Sequence, residues 1–136
     1  MISELKRHEL RLASEPQNIT EVEPFVSAVC AELAVKDELF GNILVSLTEG
    51  VNNAINHGNA GDPSKEVHVE ARVDGSTLCF IIKDQGPGFD YNNLPDPTSP
   101  ENLEMPSGRG VFLMKELSDL VLFSDEGATV EVQFRM

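Results

Sequence analysis

Tryptophan is absent from the 136-residue chain, tyrosine occurs once and cysteine twice. Two cysteines, Cys30 and Cys79, are too few for a disulfide scaffold and lack metal-ligand spacing. Each lies in an apolar run, which reads as a buried thiol. Basic residues are equally scarce: 10 Lys+Arg stand against 23 Asp+Glu, a formal charge of −13. Such a surface repels phosphate backbones and anionic lipid, which excludes direct nucleic-acid binding as the main role. No segment approaches the roughly 20 apolar residues needed to span a bilayer. The start, Met1-Ile2-Ser3-Glu4-Leu5-Lys6-Arg7, is charged and has no apolar stretch of signal-peptide length. These absences predict a soluble, cytoplasmic protein. With 40% apolar residues, the length suits one domain with a real core.

Hydrophobic periodicity outlines the elements that are present. Residues 8–13 suit an edge strand. Val22, Val26, Val29 and Leu33 at helical spacing predict a helix over 18–34, with Thr20 as N-cap. A second helix starts near Asp37, carries Leu44, Leu47, Val51, Ala54 and Ile55 on one side, and stops at Gly58. After a turn at Gly61-Asp62-Pro63, alternation of Val67, Val69, Ala71 and Val73 with His68, Glu70 and Arg72 predicts a half-buried strand. Asp74-Gly75 signals a hairpin into the apolar strand Thr77-Leu78-Cys79-Phe80-Ile81-Ile82. The segment 90–107, with Asn92-Asn93, Pro95, Pro97, Pro100 and Pro106, reads as a long irregular loop. A short helix over 111–120 follows, then a hairpin of 121–123 and 129–134 turning at Glu126-Gly127. The order β-α-α-β-β-lid-α-β-β describes an α/β two-layer sandwich, with a mixed, mostly antiparallel sheet and helices on one face.

Three local features offer chemistry. On the second helix, Glu49 and Asn53 are four residues apart and neighbours, with Asn52, Asn56 and His57 nearby. That face is either simply solvated or built for a ligand. Three asparagines within five residues weaken a helix, and a bound metal or ligand would offset this. Next, Asp84-Gln85-Gly86-Pro87-Gly88-Phe89 follows the most apolar strand. It is an ordinary turn or a fixed carboxylate beside a close backbone approach. Last, Ser107-Gly108-Arg109-Gly110-Val111 opens a helix, either as a flexible entry or as a phosphate site at the positive end of the helix dipole. Arg109 could add a charge-assisted contact there. Walker-A and dinucleotide fingerprints are absent. Lys83 suits a strand-end salt bridge or a nucleotide contact, His57 a phosphate contact or a helix cap, and His8 and His68 structural or solvated roles.

In order and spacing, Glu49-x-x-x-Asn53, Asp84-x-Gly86-x-Gly88 and Gly108-x-Gly110 closely resemble the N, G1 and G2 boxes of the GHKL (Bergerat-fold) ATPase superfamily. The run Glu49-Gly50-Val51-Asn52-Asn53-Ala54-Ile55-Asn56-His57-Gly58-Asn59, with Gly108-Arg109-Gly110-Val111-Phe112-Leu113-Met114, is most similar to the anti-sigma factor serine/threonine kinase branch. The likeness covers nearly the whole chain and implies a single histidine-kinase-like ATPase domain over 1–136 with an ATP lid at about 89–108. It also implies ATP and Mg²⁺ as nucleotide and metal. Asn53 would be the Mg²⁺ ligand, Glu49 the general base, and Asp84 the acceptor for the adenine amino group. Gly86 and Gly88 would form the turn beneath adenine, and Gly108, Arg109 and Gly110 the phosphate-facing hinge. Gly50 stands where the branch more often has alanine, which should soften the helix beside Glu49.

The function so implied is phosphorylation of an anti-sigma factor antagonist of STAS type, with binding of a sigma factor or another regulator in a partner switch. A homodimer is also implied. The alternative is a non-catalytic module of the same fold that binds ATP or sequesters a partner; Glu49 argues for catalysis, because binding alone needs no base. Glu15, Glu21, Glu23, Glu32, Asp37 and Glu38, against Lys36 alone, serve either solubility or docking of a basic partner.

Overall fold

The computed structural model describes residues 8–87 and 106–136, without the side chains of 106–109. Five strands form one sheet: β1 (His8–Ala13), β2 (Glu66–Asp74), β3 (Thr77–Lys83), β4 (Leu120–Ser124) and β5 (Thr129–Arg135). Their spatial order is β1-β2-β3-β5-β4, and every pairing is antiparallel. Among the described residues, three α-helices accompany the sheet: α1 (Val22–Leu33), α2 (Asp37–Asn53) and α3 (Pro106–Leu117). The sandwich expected from the sequence is therefore present.

Strand alternation decides which face is covered. Val67, Val69 and Ala71 of β2, Leu78, Phe80 and Ile82 of β3, and Val130, Val132 and Phe134 of β5 are buried in one cluster with Val26, Val29, Ile43, Leu47 and Val51 of the helices. At its centre Phe80 meets Phe25 and Phe134 edge-on, with centroids 6.4 and 6.1 Å apart. Such aromatic pairs add about 0.5–1.5 kcal/mol beyond the burial itself. Glu70 and Arg72 point to the opposite face and pair there, Nε to Oε2 at 3.3 Å. The β2–β3 hairpin turns through Gly75 at φ +63°. Cys30 and Cys79 are free and buried, and burial raises both thiols, Cys79 to about 11. Both therefore stay protonated at neutral pH, as inert core groups do.

Several boundaries differ from those read in the sequence. The helix expected over 18–34 is split: a 3-10 turn occupies Pro16–Glu21 and α1 begins at Val22. Thr20 does not cap it; its hydroxyl donates backwards to the Gln17 carbonyl at 3.0 Å. Pro16 in the first turn and Pro24 near the start of α1 lack the N–H groups that a continuous helix would use. α3 begins five residues earlier than expected, at Pro106, a residue favoured at the first helical position. Leu120 belongs to β4, not to that helix. The remainder of the expected lid, 89–105, lies outside the described residues.

His8 and His68 sit on β1 and β2, each with Nε2 3.1 Å from a carboxylate, of Glu32 and Glu9 respectively. Lys83 alternates outward at the end of β3 and forms no ion pair among the described residues. The strand-end salt bridge expected of Lys83 is not found there.

Candidate functional site

The α2 axis leads directly into the site. Asp37 and Glu38 in its first turn complement the helix dipole. At the other end, regular winding stops at Asn53 and the chain widens into a single π-helical turn, Ala54–Gly58. Such turns recur at functional sites because the extra residue re-aims the side chains that follow. The Asn59 N–H closes the turn on the Ala54 carbonyl at 2.8 Å. The asparagine cluster is partly self-compensating: Asn56 donates to Asn52 Oδ1 at 2.7 Å.

A cleft of about 640 Å³, open mouth included, lies between α2 with its π turn, β3, the β4–β5 hairpin and α3. Asn53, His57, Gly58 and Asp84 line one part of it; Ile82, Met114, Phe123 and Val130 give it apolar walls. A cleft of mostly apolar lining with a few convergent polar groups is the usual form of a small-molecule site. His57 lies in the last turn of the π segment and also lines the cleft, so both roles open to it from the sequence are compatible with its place.

Asp84 follows β3, where its N–H donates to the Ala128 carbonyl at 2.9 Å. Its Oδ1 accepts from the Gly86 N–H at 2.8 Å, and its pKa is raised, chiefly by burial, against the opposing pull of that bond and of Lys65. Lys65, unlike Lys83, was not singled out by its motif context. A half-buried carboxylate that lines a cleft and has no ion pair among the described residues is an acceptor suited to a ligand's donor.

Glycines set the closeness of approach. Any side chain at Gly86 would run into the Gly58 carbonyl, and any at Gly58 into the Asp84 carboxylate. A methyl at Gly110 would lie 2.6 Å from Asn53 Nδ2. Gly110 is buried inside the first turns of α3 and packed on Asn53, where the sequence had placed it in the turn that opens the helix. At Gly50 a methyl would meet Ile82 Cδ1 at 2.5 Å and Met114 Sδ at 3.2 Å. Its role is close contact of α2 with β3 and α3, more than softness of the helix.

Of the residues singled out in the sequence, Asn53 and Asp84 face one cleft, with Gly86 and Gly110 cradling them. Glu49 is half-buried one turn before Asn53 and is not part of the cleft lining. Gly108 lies in α3, as does Arg109, whose side chain is outside the described ones. Gly88 is outside the described residues.

A family model for the histidine kinase-like ATPase domain matches residues 12–134 of this chain. The chain belongs to that family. Among curated relatives of this ATPase domain, an anti-sigma F factor of Anoxybacillus flavithermus is 31% identical over 130 residues, covering 90% of this chain and 88% of the relative. An anti-sigma F factor of Shouchella clausii is 35% identical over 114 residues, 79% of this chain and 77% of the other. The serine-protein kinase RsbW of Oceanobacillus iheyensis is 23% identical over 124 residues, 87% and 78% respectively. A solved structure of the RsbU and RsbW domains of a Mycobacterium tuberculosis protein superposes with a TM-score of 0.67 at 16% identity. It covers 96% of this chain, which spans 32% of that longer one. This likeness supports the fold.

For an ATPase domain of this kind the Gly110 contact has a direct consequence. Gly110→Ala is expected to push the Asn53 amide aside and weaken nucleotide binding by about 10-fold, the effect of misaligning one polar contact in the cleft. Titration calorimetry of the variant against wild type checks this. The fold should persist, because the three atoms nearest the methyl all belong to the Asn53 side chain, which can turn away.

Proposed function

We propose that this protein is an ATP-dependent serine/threonine kinase of the anti-sigma regulatory type. The observation that carries this reading is one cleft in which Asn53 and the half-buried Asp84 converge, with Glu49 one helical turn from Asn53. Its substrate would be an anti-sigma factor antagonist of STAS type, and a sigma factor its second partner. A cytoplasmic location, a homodimer and a single domain over 1–136 belong to the same reading.

The adenine amino group would donate to Asp84, with Gly58 and Gly86 leaving room for the base. The apolar walls at Ile82, Met114 and Val130 would exclude water from its faces. Gly108, Arg109 and Gly110, in the first turns of α3, would face the phosphates, where free N–H groups and the helix dipole favour anions. No cluster of three or more His, Cys, Asp or Glu suited to a metal is found among the described residues. Asn53 would instead hold Mg²⁺ delivered with the nucleotide, its amide oxygen being the type of donor that this ion prefers. Mg²⁺ bound there would neutralise phosphate charge that the few basic residues of this chain cannot.

Glu49 lies outside the cleft lining, which suits service to the second substrate. Its carboxylate would take the proton from a serine or threonine hydroxyl as that oxygen bonds to the γ-phosphorus. The bond to the β–γ bridging oxygen breaks, and ADP leaves. Addition of about −1.5 to −2 charges to the antagonist would then disfavour its contact with a strongly acidic kinase.

Calorimetry with ATP and ADP, with and without Mg²⁺, tests the site. Wild type should bind both, and Asn53→Ala should lose about 10-fold in affinity, confined to the Mg²⁺-dependent part. Absence of adenine-nucleotide binding by wild type would sink the kinase reading.

A further inference from the structure

Asn59 is 1% exposed, yet every polar atom of its side chain is engaged, with partners from three other segments. Its Nδ2 donates to Ser14 Oγ at 2.8 Å, just after β1, and to the Glu66 carbonyl at 3.1 Å, where β2 begins. Its Oδ1 accepts from the Gln85 N–H at 2.7 Å, between Asp84 and Gly86. Neighbouring bonds brace the same point. Ser14 Oγ donates on to the Lys65 carbonyl at 2.8 Å, and the Glu66 N–H donates to Gln85 Oε1 at 2.6 Å.

The segment Asp84-Gln85-Gly86 is otherwise held by the Asp84 N–H on Ala128, by the internal bond from Gly86 to Asp84 Oδ1, and by packing of Gly86 on Gly58. Among the described residues, Asn59 is thus the side chain, outside the segment itself, that pins its backbone. It follows directly after the π turn that ends at Gly58, so the same turn that lines the cleft also delivers the pin. A buried amide satisfied at all its sites holds one geometry strongly, because each lost partner leaves an unpaired group out of water.

We propose that Asn59 is a positioning residue for base recognition: through the Gln85 N–H it aims the Asp84 carboxylate at the amino group of a bound adenine. This rests on the adenine reading of the cleft given above. It deepens that reading by assigning selectivity for the 6-amino group to a residue that does not line the cleft. A purely structural Asn59 would weaken all nucleotides alike; a positioning Asn59 weakens those that use Asp84.

The test titrates ATP and purine riboside triphosphate, which lacks the 6-amino group, against wild type, Asn59→Ala, Asp84→Ala and the double variant. Asn59→Ala should lose about 10-fold for ATP and less than about 2-fold for the analogue, the size expected when one hydrogen bond to a charged group is misaligned. In the Asp84→Ala background, Asn59→Ala should cost no further ATP affinity. Equal losses for both nucleotides, or additive losses in the double variant, would overturn the proposal while leaving the adenine site standing. If wild type binds ATP and the analogue equally, or binds neither, the underlying reading falls and the role of Asn59 with it. Should Asn59→Ala fail to fold, Ser14→Ala carries the test. It removes one acceptor from Asn59 Nδ2 and should give a smaller loss, about 3-fold, again for ATP and not for the analogue. No difference between the two nucleotides in Ser14→Ala would count against the proposal.

Discussion

Asp84→Asn is expected to weaken ATP by about 100-fold, the upper range for a hydrogen bond to a charged group, while raising the melting temperature of the nucleotide-free protein. Both effects have one cause. Burial raises the Asp84 pKa above its ordinary value of 3.8, with the Gly86 N–H and Lys65 opposing it only in part. An acid whose folded pKa is raised contributes stability below its unfolded pKa and loses it as pH rises through the folded value. At neutral pH the ionised carboxylate is therefore a liability to the empty protein, and the amide removes it. The stabilisation should be full above the raised pKa and vanish below about 3.8, so thermal melts at acid and neutral pH should differ in that direction. The Asn oxygen can still accept from Gly86, but its NH₂ would face the adenine amino group, donor against donor. The same NH₂ can donate to a guanine carbonyl, so the ratio of GTP to ATP affinity should rise. In wild type, ATP affinity should grow with pH through the Asp84 titration and level off above it. Unchanged ATP affinity in Asp84→Asn would remove Asp84 from base recognition.

Glu49→Gln should leave nucleotide affinity within about 2-fold and lower phosphoryl transfer by about 10²–10⁴, the usual contribution of a general base. The separation follows from the structure. Glu49 is outside the lining of the cleft, so the nucleotide does not sense its loss. It is half-buried one turn from Asn53, which under the proposed reading would put it within reach of an incoming hydroxyl. Transfer of labelled γ-phosphate to an antagonist protein gives the first quantity, and calorimetry the second. Retained transfer in Glu49→Gln would place the base elsewhere. Nucleotide binding with no transfer in wild type would favour a non-catalytic module that acts by sequestering a partner.

Much of the fold was legible in sequence where a local period reports a local fact. The alternation of Val67, Val69, Ala71 and Val73 located β2, Asp74-Gly75 located its hairpin, and residues 8–13 emerged as β1 with the expected bounds. Element ends were less legible. Prolines both open and interrupt helices, and only packing decided that Pro106 starts α3 and that Pro16 starts a 3-10 turn. Asn53 and Asp84 stood out through the order and spacing they share with the ATPase boxes; taken alone, each also fitted a solvated helix face or an ordinary turn, and only packing brought both to one cleft.

By itself, the sequence determined the strand and helix periods, the acidic charge that disfavours nucleic acid, and the polar residues set aside from the core. Only the tertiary structure decided what those residues meet. The partners of Asn59 lie 45 and 26 residues away in the chain as well as nearby, so no window of sequence could pair them. Gly50, Gly58, Gly86 and Gly110 look alike in sequence. Each acquires its role from whichever neighbour occupies the space of its missing side chain: Ile82, the Asp84 carboxylate, the Gly58 carbonyl and the Asn53 amide. Periodicity encodes which face is apolar, whereas close approach is a property of two segments at once and exists only after they pack.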